Sequence, residues 1–396
     1  MDPELVSPGD PLFLDGVDLT VVLIVIGKLL VVFGFLMVGV LFMVWFERKI
    51  ISDMQNRIGP DRAGPWGIIQ ALADGIKLFF KEDLLPERAD RKIFRLAPYM
   101  SIVPAFLAFS IVPFGGTVSI AGRDTYLQLA DPPVGVLFLL AMSSVAVYGV
   151  ILAGWSSGSK YPLLGSVRAS AQMVSYEAAM SLSVVSAVLI AGSLSTRDIV
   201  ESQAVWNWNL WQLGAVPFLI FMVAVTAELN RPPFDLVEAE QELVGGFHTE
   251  YSSIRFAMFY LAEYMNLITM SAIAITLFLG GPNGPSIPLL PGALEGVLWF
   301  ILKLLAFLFA YVWLRATLPR LRYDQLMNVG WKVLIPLALF WLLLIAALRI
   351  GRDEGWSTIY VFVGAIVVGF LGWTVLGAAL RLGERAEPLY TEEAST

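Results

Sequence analysis

Long apolar runs, separated by short polar or charged stretches, dominate this chain. Runs of about 20 apolar residues, enough for a helix to cross a bilayer, recur along its whole length. Their predicted limits are residues 21–46, 97–115, 134–154, 169–192, 213–229, 256–280, 295–316, 332–350 and 357–380. The pattern therefore predicts an all-α, polytopic membrane protein with nine spans, of which the fifth is short.

Residues 66–82 (WGIIQALADGIKLFFKE) show a helical period without being apolar throughout. Apolar side chains fall on one helical stripe, and Gln70, Asp74, Lys77 and Lys81 fall on the opposite one. Because the segment is short and has charged flanks, we expect an amphipathic helix lying along the membrane surface. It is either an anchor or a wall that guides a lipid-soluble substrate.

The composition supports the membrane assignment and narrows the chemistry. The chain is 57% hydrophobic and 15% charged, whereas soluble domains are about 25% charged, which excludes a soluble enzyme, a disordered protein and a nucleic-acid binder. It has no cysteine and one histidine, His248, so it cannot alone provide a thiolate iron–sulfur site, a structural zinc site or a bis-histidine haem site. No GxGxxG or GxxxxGK[ST] string indicates a nucleotide site. We expect no metal and no bound cofactor on this chain.

The basic residues predict the orientation. Twenty of the 26 Lys and Arg residues lie in loops on one side of the spans and four lie on the other. Basic loops favour the inside, so we expect the N-terminus outside and the C-terminal tail in the cytoplasm. The inside loops 47–96, 228–255 and 317–331 are long and charged, so chemistry or partner docking is expected there.

Two short motifs lie on the predicted inside face. Glu47-Arg48-Lys49 places an acid before two bases at the end of the first span, which is either a positive-inside anchor or a functional group. Residues 315–327 carry three arginines. These either anchor the helix, neutralise the acidic loop 235–250 or dock a partner.

The stretch 227–250 is the most unusual part of the sequence. Pro232 and Pro233 end the fifth span, and one base, Arg231, accompanies six acids. These acids are Glu228, Asp235, Glu238, Glu240, Glu242 and Glu250. Coupled carboxylates at a membrane boundary are suited to holding and passing protons, although a solvated acidic loop is the alternative.

Charged residues also fall inside the predicted spans, at an insertion cost of about 2.5–3.5 kcal/mol each. Taken together, four of these residues predict a polar axis through the membrane: Glu177, Glu228, Glu263 and Lys303. The alternative, for each of them taken alone, is a structural charge that pairs with a neighbour. For Lys28, near the outer end of the first span, we expect the ammonium to reach the membrane surface.

Several long strings resemble those of one family, the H subunits of proton-pumping NADH–quinone oxidoreductase (respiratory complex I). They are ERKI at 47–50, RIGPDRAGPWGIIQALADGIKLFFKED at 57–83, SYEAAMSL at 175–182, AELNRPPFDLVEAEQELVGGFHTEYS at 227–252, AEYMN at 262–266 and RATLPRLRYDQLM at 315–327. The resemblance implies one membrane domain, 1–396, with eight core helices within 21–350. The ninth span, 357–380, and the tail after it depart from the family, and residues 351–396 would form an extra helix and a cytoplasmic tail.

The resemblance also implies roles for individual residues. The quinone-chamber region would contain Glu47, Arg48, Arg57, Asp74, Lys77 and Arg231. The acidic proton pathway would contain Glu177, Glu228, Asp235, Glu238, Glu240, Glu242 and Glu263. Quinone reduction near the inside loops would change the charge balance at 235–242 and shift proton occupancy along the acids.

The implied partners are the other complex I subunits: peripheral-arm quinone-site and iron–sulfur subunits, small membrane subunits and antiporter-like subunits. These partners would carry FMN and the iron–sulfur clusters, quinone would be the substrate, and the location would be a bacterial plasma membrane. Three alternatives stay open from the residues alone. They are the membrane anchor of a related hydrogenase, a stand-alone secondary transporter and a purely structural anchor, and co-purifying chains would separate them.

Overall fold

The computed structural model describes residues 10–14, 16–235, 243–286 and 292–356, with isolated positions 363, 364, 367, 369 and 374. The chain divides into two compact units, residues 1–335 and 336–396. The first unit contains every described residue of the candidate site. The described part of the second consists mainly of the last helix.

Twelve helices are described in chain order. Helices α1 to α6 are Leu19–Met54, Gln70–Phe80, Arg91–Phe109, Gly135–Ser156, Lys160–Ala191 and Thr196–Glu201. Helices α7 to α12 are Asn209–Gln212, Ala215–Glu228, Ser253–Phe278, Gly292–Thr317, Tyr323–Asn328 and Ile335–Asp353. A π-helical turn, Val329–Leu334, joins α11 to α12, and 3₁₀ turns lie at Pro11–Phe13, Pro65–Gly67 and Gly246–His248.

The described helices confirm an all-α polytopic membrane protein. Seven segments are long and apolar enough to cross a membrane, and α8 is a shorter apolar helix. These eight correspond to the first eight predicted spans, while the ninth, 357–380, lies almost wholly outside the described residues. Helices α1 and α5 extend well beyond their apolar runs, because helical hydrogen bonding continues beyond the part that lipid requires to be apolar.

Two of these differences matter for the site. Helix α1 continues to Met54 instead of ending at residue 46, so Glu47 and Arg48 are helical. Helix α5 begins at Lys160 instead of residue 169, so Glu177 lies near its middle. The predicted amphipathic helix is present as α2.

Helix α9 is the central helix of the first unit. It packs against α3, α10 and α1, and every residue from Leu267 to Phe278 is buried. Such a helix, apolar on all sides, is stable only when other helices surround it. The bundle is completed by α4 and α5, which pack on each other, and by α8, which packs on α5.

One end of the bundle, which we call the hairpin end, carries the strands β1 (Thr117–Ile120) and β2 (Arg123–Tyr126). They pair antiparallel through a two-residue turn at Ala121 and Gly122, which both have positive φ, as type I′ hairpin turns require. Here Asp10 accepts a hydrogen bond from Thr125 and pairs with Lys28 Nζ at 2.8 Å. The ammonium of Lys28 is therefore held by a carboxylate rather than extending freely to the surface.

Lys303 also belongs to the hairpin end. Its ammonium donates to the carbonyl oxygens of Leu279, Gly281 and Asn283 at 2.7, 2.9 and 2.7 Å. These carbonyls follow the C-terminus of α9, where a cation is favoured. The prediction that Lys303 shares a polar axis with the buried glutamates is therefore wrong, because its donors are used by this loop.

Candidate functional site

A group of charged side chains, buried except for the partly exposed Glu263 and Arg315, lies where α1, α9 and α10 meet the turn after α8. Glu47 is at its centre and is 4% exposed. Arg231 Nη1 lies 3.3 Å from both carboxylate oxygens, the Tyr264 hydroxyl donates to Oε2 at 2.8 Å, and the Arg315 guanidinium pairs with Oε1. Arg231 Nε also lies 3.0 Å from Glu263 Oε1. We call these five residues the Glu47 cluster.

The turn that carries Arg231 is fixed from outside. Pro232 and Pro233 cannot continue α8, because proline lacks the backbone donor that a helix interior needs. Gln172 on α5 is fully buried, and its Nε2 donates to the carbonyls of Ala227 at 2.7 Å and Phe234 at 2.8 Å. Helix α5 therefore holds the turn on both sides of Arg231.

The Glu47 cluster is electrically balanced, with two carboxylates against two guanidinium groups. Burial alone would lower the pKa of Arg231, but the carboxylates of Glu263 and Glu47 raise it well above its ordinary value. The guanidinium therefore remains charged. Buried charges persist when partners and hydrogen bonds compensate their desolvation, so removing Arg231 would leave two carboxylates opposite one guanidinium.

Beside this cluster, α2 presents a second ion-pair group. Asp74 accepts from Arg48 Nη1 at 2.7 Å, Lys77 Nζ at 3.2 Å and Gln70 Nε2 at 3.3 Å. Partial burial would raise the pKa of Asp74, but the hydrogen bonds from Arg48 and Lys77 outweigh burial and lower it. The opposite face of α2 exposes large apolar side chains: Leu72, Ile76, Phe79 and Phe80. A charged group thus adjoins a lipid-compatible surface.

Two further acids meet consecutive serines of α4. Ser143 donates to Glu228 of α8, and Ser144 donates to Glu177 of α5. Since consecutive helical residues rise only about 1.5 Å, the two carboxylates lie at nearly the same depth in the bundle. Among the described residues, Glu228 Oε2 is buried without a hydrogen-bond partner, so one of its oxygens is available to water.

A cavity of about 110 Å³ connects Glu228 with Glu263 of the Glu47 cluster. Other polar residues on its wall are Ser101, Asn230, His248, Tyr260 and Asn266. Pockets for drug-sized ligands measure about 300–1,000 Å³, so this cavity is too small for them. At about 30 Å³ per molecule it has room for about three waters, which its polar wall can hydrogen-bond.

The remaining predicted residues are distributed around this arrangement. Asp235 is 1% exposed and pairs with Arg320 at 3.0 Å, which confirms that residues 315–327 neutralise part of the acidic loop. Arg57 donates to Gln55 at 2.6 Å and, within the part of the chain that the structure describes, joins neither the Glu47 cluster nor the Asp74 group. Glu238, Glu240 and Glu242 lie outside the described residues.

The comparison with known proteins agrees with this architecture. Residues 27–346 match the profile of the NADH dehydrogenase family. The chain belongs to the NADH dehydrogenase family.

Three relatives, each named as the H subunit of NADH-quinone oxidoreductase, show how far the likeness extends. The Frankia alni protein is 54% identical over 94% of this chain and 81% of its own length. The Frankia casuarinae protein is 56% identical over 87% of this chain and 77% of its own. The Streptomyces avermitilis protein is 49% identical over 88% of this chain and 79% of its own length. Membership of the NADH dehydrogenase family confirms the resemblance found in the sequence.

Sequence reasoning missed several groups that complete the site in this family member. Tyr264 adjoins Glu263 in the sequence, but nothing indicated that its hydroxyl binds Glu47. In the sequence Arg315 is one arginine of a basic stretch, and nothing there indicates that it pairs directly with Glu47. Gln172, Ser143 and Ser144 gave no signal, because neutral polar residues are common in packed membrane helices.

Proposed function

We propose that this chain is the membrane subunit of an NADH–quinone oxidoreductase that forms the quinone entrance and part of the quinone cavity. We further propose that it couples quinone reduction to proton translocation through buried acids. The observation that carries this proposal is the cavity that joins the Glu47 cluster to Glu228. The three relatives named after NADH-quinone oxidoreductase support the assignment to such a complex.

The chain binds no redox group itself in this proposal. With no cysteine in 396 residues it cannot supply thiolates to an iron–sulfur cluster. FMN and the clusters then belong to peripheral-arm subunits, which dock on the charged loops, while small membrane and antiporter-like subunits flank the helices. The location is a bacterial plasma membrane, with the N-terminus outside. Residues 21–350 form the eight-helix core, whereas the added helix and tail expected within 351–396 lie almost wholly outside the described residues.

Quinone reaches the site along α1 and α2. The exposed apolar face of α2 suits the isoprenoid tail of a quinone, and the neighbouring guanidinium of Arg48 can donate to a quinone carbonyl oxygen. Arg48 is half-exposed and forms an ion pair with Asp74. Its guanidinium is therefore accessible to a quinone and is also held in a fixed orientation. Lys77 is more exposed and adds positive charge, which favours a reduced, anionic quinone.

Proton transfer begins at the Glu47 cluster. Quinone reduction nearby adds negative charge, which changes the proton affinity of the buried acids. Cavity water carries a proton between Glu263 and Glu228, and the Ser143 and Ser144 hydroxyls, which both donate and accept, extend the path towards Glu177. The coupling is reciprocal, so proton occupancy of these acids also changes the affinity for quinone species.

A charge-neutral substitution at the far end of the cavity tests the proposal. In the assembled complex, Glu228→Gln retains the shape of the side chain but cannot accept a proton. NADH–ferricyanide activity, which bypasses this chain, should remain normal, whereas proton pumping and NADH–quinone activity should fall at least about tenfold. Glu201→Gln is the matched control, because Glu201 is an exposed acid of α6 at the hairpin end.

Normal pumping by the Glu228→Gln complex would contradict the proton pathway. A comparable loss in Glu201→Gln would show that any lost carboxylate harms the complex, and it would equally count against a specific role for Glu228. The stand-alone transporter alternative makes a different prediction, since the purified chain would then move protons in liposomes without partners.

A further inference from the structure

His248 is the only histidine of the chain, and the proposed function has no use for it. It ends the 3₁₀ turn Gly246–His248 and lies on the wall of the cavity that joins Glu263 to Glu228. The side chain is half-buried. An imidazole is therefore placed beside the space through which the proton is proposed to pass.

The position of the imidazole is fixed by packing on several sides. The ring meets Phe247 and Phe256 edge-on, with centroids 5.0 and 5.4 Å apart. Thr249 closes the turn by donating to the Gly246 carbonyl at 2.7 Å. Behind the turn, a Cβ at Gly165 of α5 would lie only 2.7 Å from Gly246 Cα, so the backbone is held closely against α5.

Among the described residues, few other ionisable groups line the cavity wall. Helix α8 contributes Glu228, and α9 contributes Glu263 and Tyr260. The parts of α4 and α5 that reach the cavity contribute the apolar residues Ala146, Val150 and Met173. Of the described groups on this wall, His248 is thus the one imidazole, the side-chain type whose ordinary pKa lies near neutrality.

We propose that His248 carries protons between water at the charged loops and the cavity, an inference that rests on the function proposed above. The imidazolium gives one N–H proton to a cavity water, which passes a proton to the carboxylate of Glu228 or Glu263. The carboxylate becomes a carboxylic acid and the imidazole becomes neutral. The ring then regains a proton from loop water, so charge and atoms balance without any oxidant or reductant.

The experiment is a pH profile of the assembled complex in inverted membrane vesicles. His248→Asn keeps a polar side chain of similar reach but does not titrate, and His248→Gln serves as a second variant should the first assemble poorly. Thr249→Val is the matched control, since it disturbs the same turn and keeps the imidazole. Proton pumping with a short-chain quinone is normalised to NADH–ferricyanide activity between pH 5.5 and 8.5, values set around the ordinary imidazole pKa of about 6.5.

The wild-type and Thr249→Val rates should fall as pH rises through the imidazole range. The His248→Asn rate should be about tenfold lower at the acidic end and nearly independent of pH, because a protonating relay contributes at least that much. A wild-type profile in both histidine variants would overturn the inference. An equal loss in Thr249→Val and His248→Asn, with unchanged profile shape, would also overturn it by showing a structural role.

The Glu228→Gln complex shows whether a negative result refutes only the role of His248 or also the proposed function. If Glu228→Gln loses pumping while the histidine variants retain the wild-type profile, only the role of His248 is refuted. If Glu228→Gln pumps normally, the proton pathway itself fails, and the histidine relay fails with it.

Discussion

Replacing Arg231 with methionine should destabilise the chain more than replacing any exposed arginine. The side chain is 7% exposed and pairs with both Glu47 and Glu263. Arg231→Met keeps much of the side-chain volume but leaves two carboxylates, Glu47 and Glu263, with one guanidinium, Arg315. Removing one partner of a buried ion pair costs about 3–5 kcal/mol. The Arg48–Asp74 pair is 46% and 26% exposed, and losing such a pair costs about 1 kcal/mol or less.

These energies convert into a measurable shift. At about 2 °C per kcal/mol, the lower end for larger chains, Arg231→Met should lower the temperature of half-loss by about 6–10 °C. The assay heats the solubilised complex and follows, by immunoblot, the temperature at which half of this chain aggregates. Arg48→Met is the control and should shift that temperature by about 2 °C or less.

A second substitution tests whether charge balance is the cause. Arg231→Met combined with Glu263→Gln leaves one carboxylate, Glu47, opposite one guanidinium, Arg315, so the cluster is neutral again. Stability should then recover by more than half, although proton transfer should not. Equal melting of the Arg231→Met and wild-type complexes, or no recovery in the double variant, would refute the electrostatic reasoning.

Two further predictions concern charges outside this cluster. Lys303→Met should leave the carbonyls of Leu279, Gly281 and Asn283 without their donor. The amount of assembled complex, measured on native gels, should therefore decrease, while the activity of each complex stays normal. A loss of proton pumping per assembled complex would contradict this prediction. Because the hydrogen bonds from Arg48 and Lys77 outweigh partial burial and lower the pKa of Asp74, the attachment of α2 to α1 should be fully present above about pH 3.8 and be lost only as pH falls below that value. The distance between spin labels at Met54 of α1 and Phe80 of α2 would report this attachment. An increase in that distance already near pH 5 would contradict the ion pair between Arg48 and Asp74.

The eight apolar helices could be predicted from the sequence because lipid imposes a simple compositional rule on them. The same rule predicts the ends of the helices inaccurately, since a helix can continue past the apolar region. Helix α1 is the instructive example. Its last turns carry Glu47 and Arg48 beyond the predicted end, and this places the two side chains on one rigid element.

The hairpin of β1 and β2 could not be predicted in the same way. Its strands are four residues each, and the Ala121–Gly122 turn lacks the Asn-Gly or Asp-Gly signal of such hairpins. The ion pairs of the Glu47 cluster could not be predicted from the sequence either, because Arg231 and Glu47 are 184 residues apart. Buried charge could be predicted from the sequence, whereas its partners depend on how α1, α9 and α10 pack.

The central claim is that water in the cavity between Glu263 and Glu228 carries the proton. Ala146 of α4 is buried on that wall, so Ala146→Leu should fill much of the roughly 110 Å³ space while every ionisable group stays in place. The decisive measurement is proton pumping by the assembled Ala146→Leu complex, normalised to NADH–ferricyanide activity, with Ala146→Ser as the unfilled control. We predict a severe loss of pumping in Ala146→Leu and near-normal pumping in Ala146→Ser. Normal pumping by the filled variant would contradict the account.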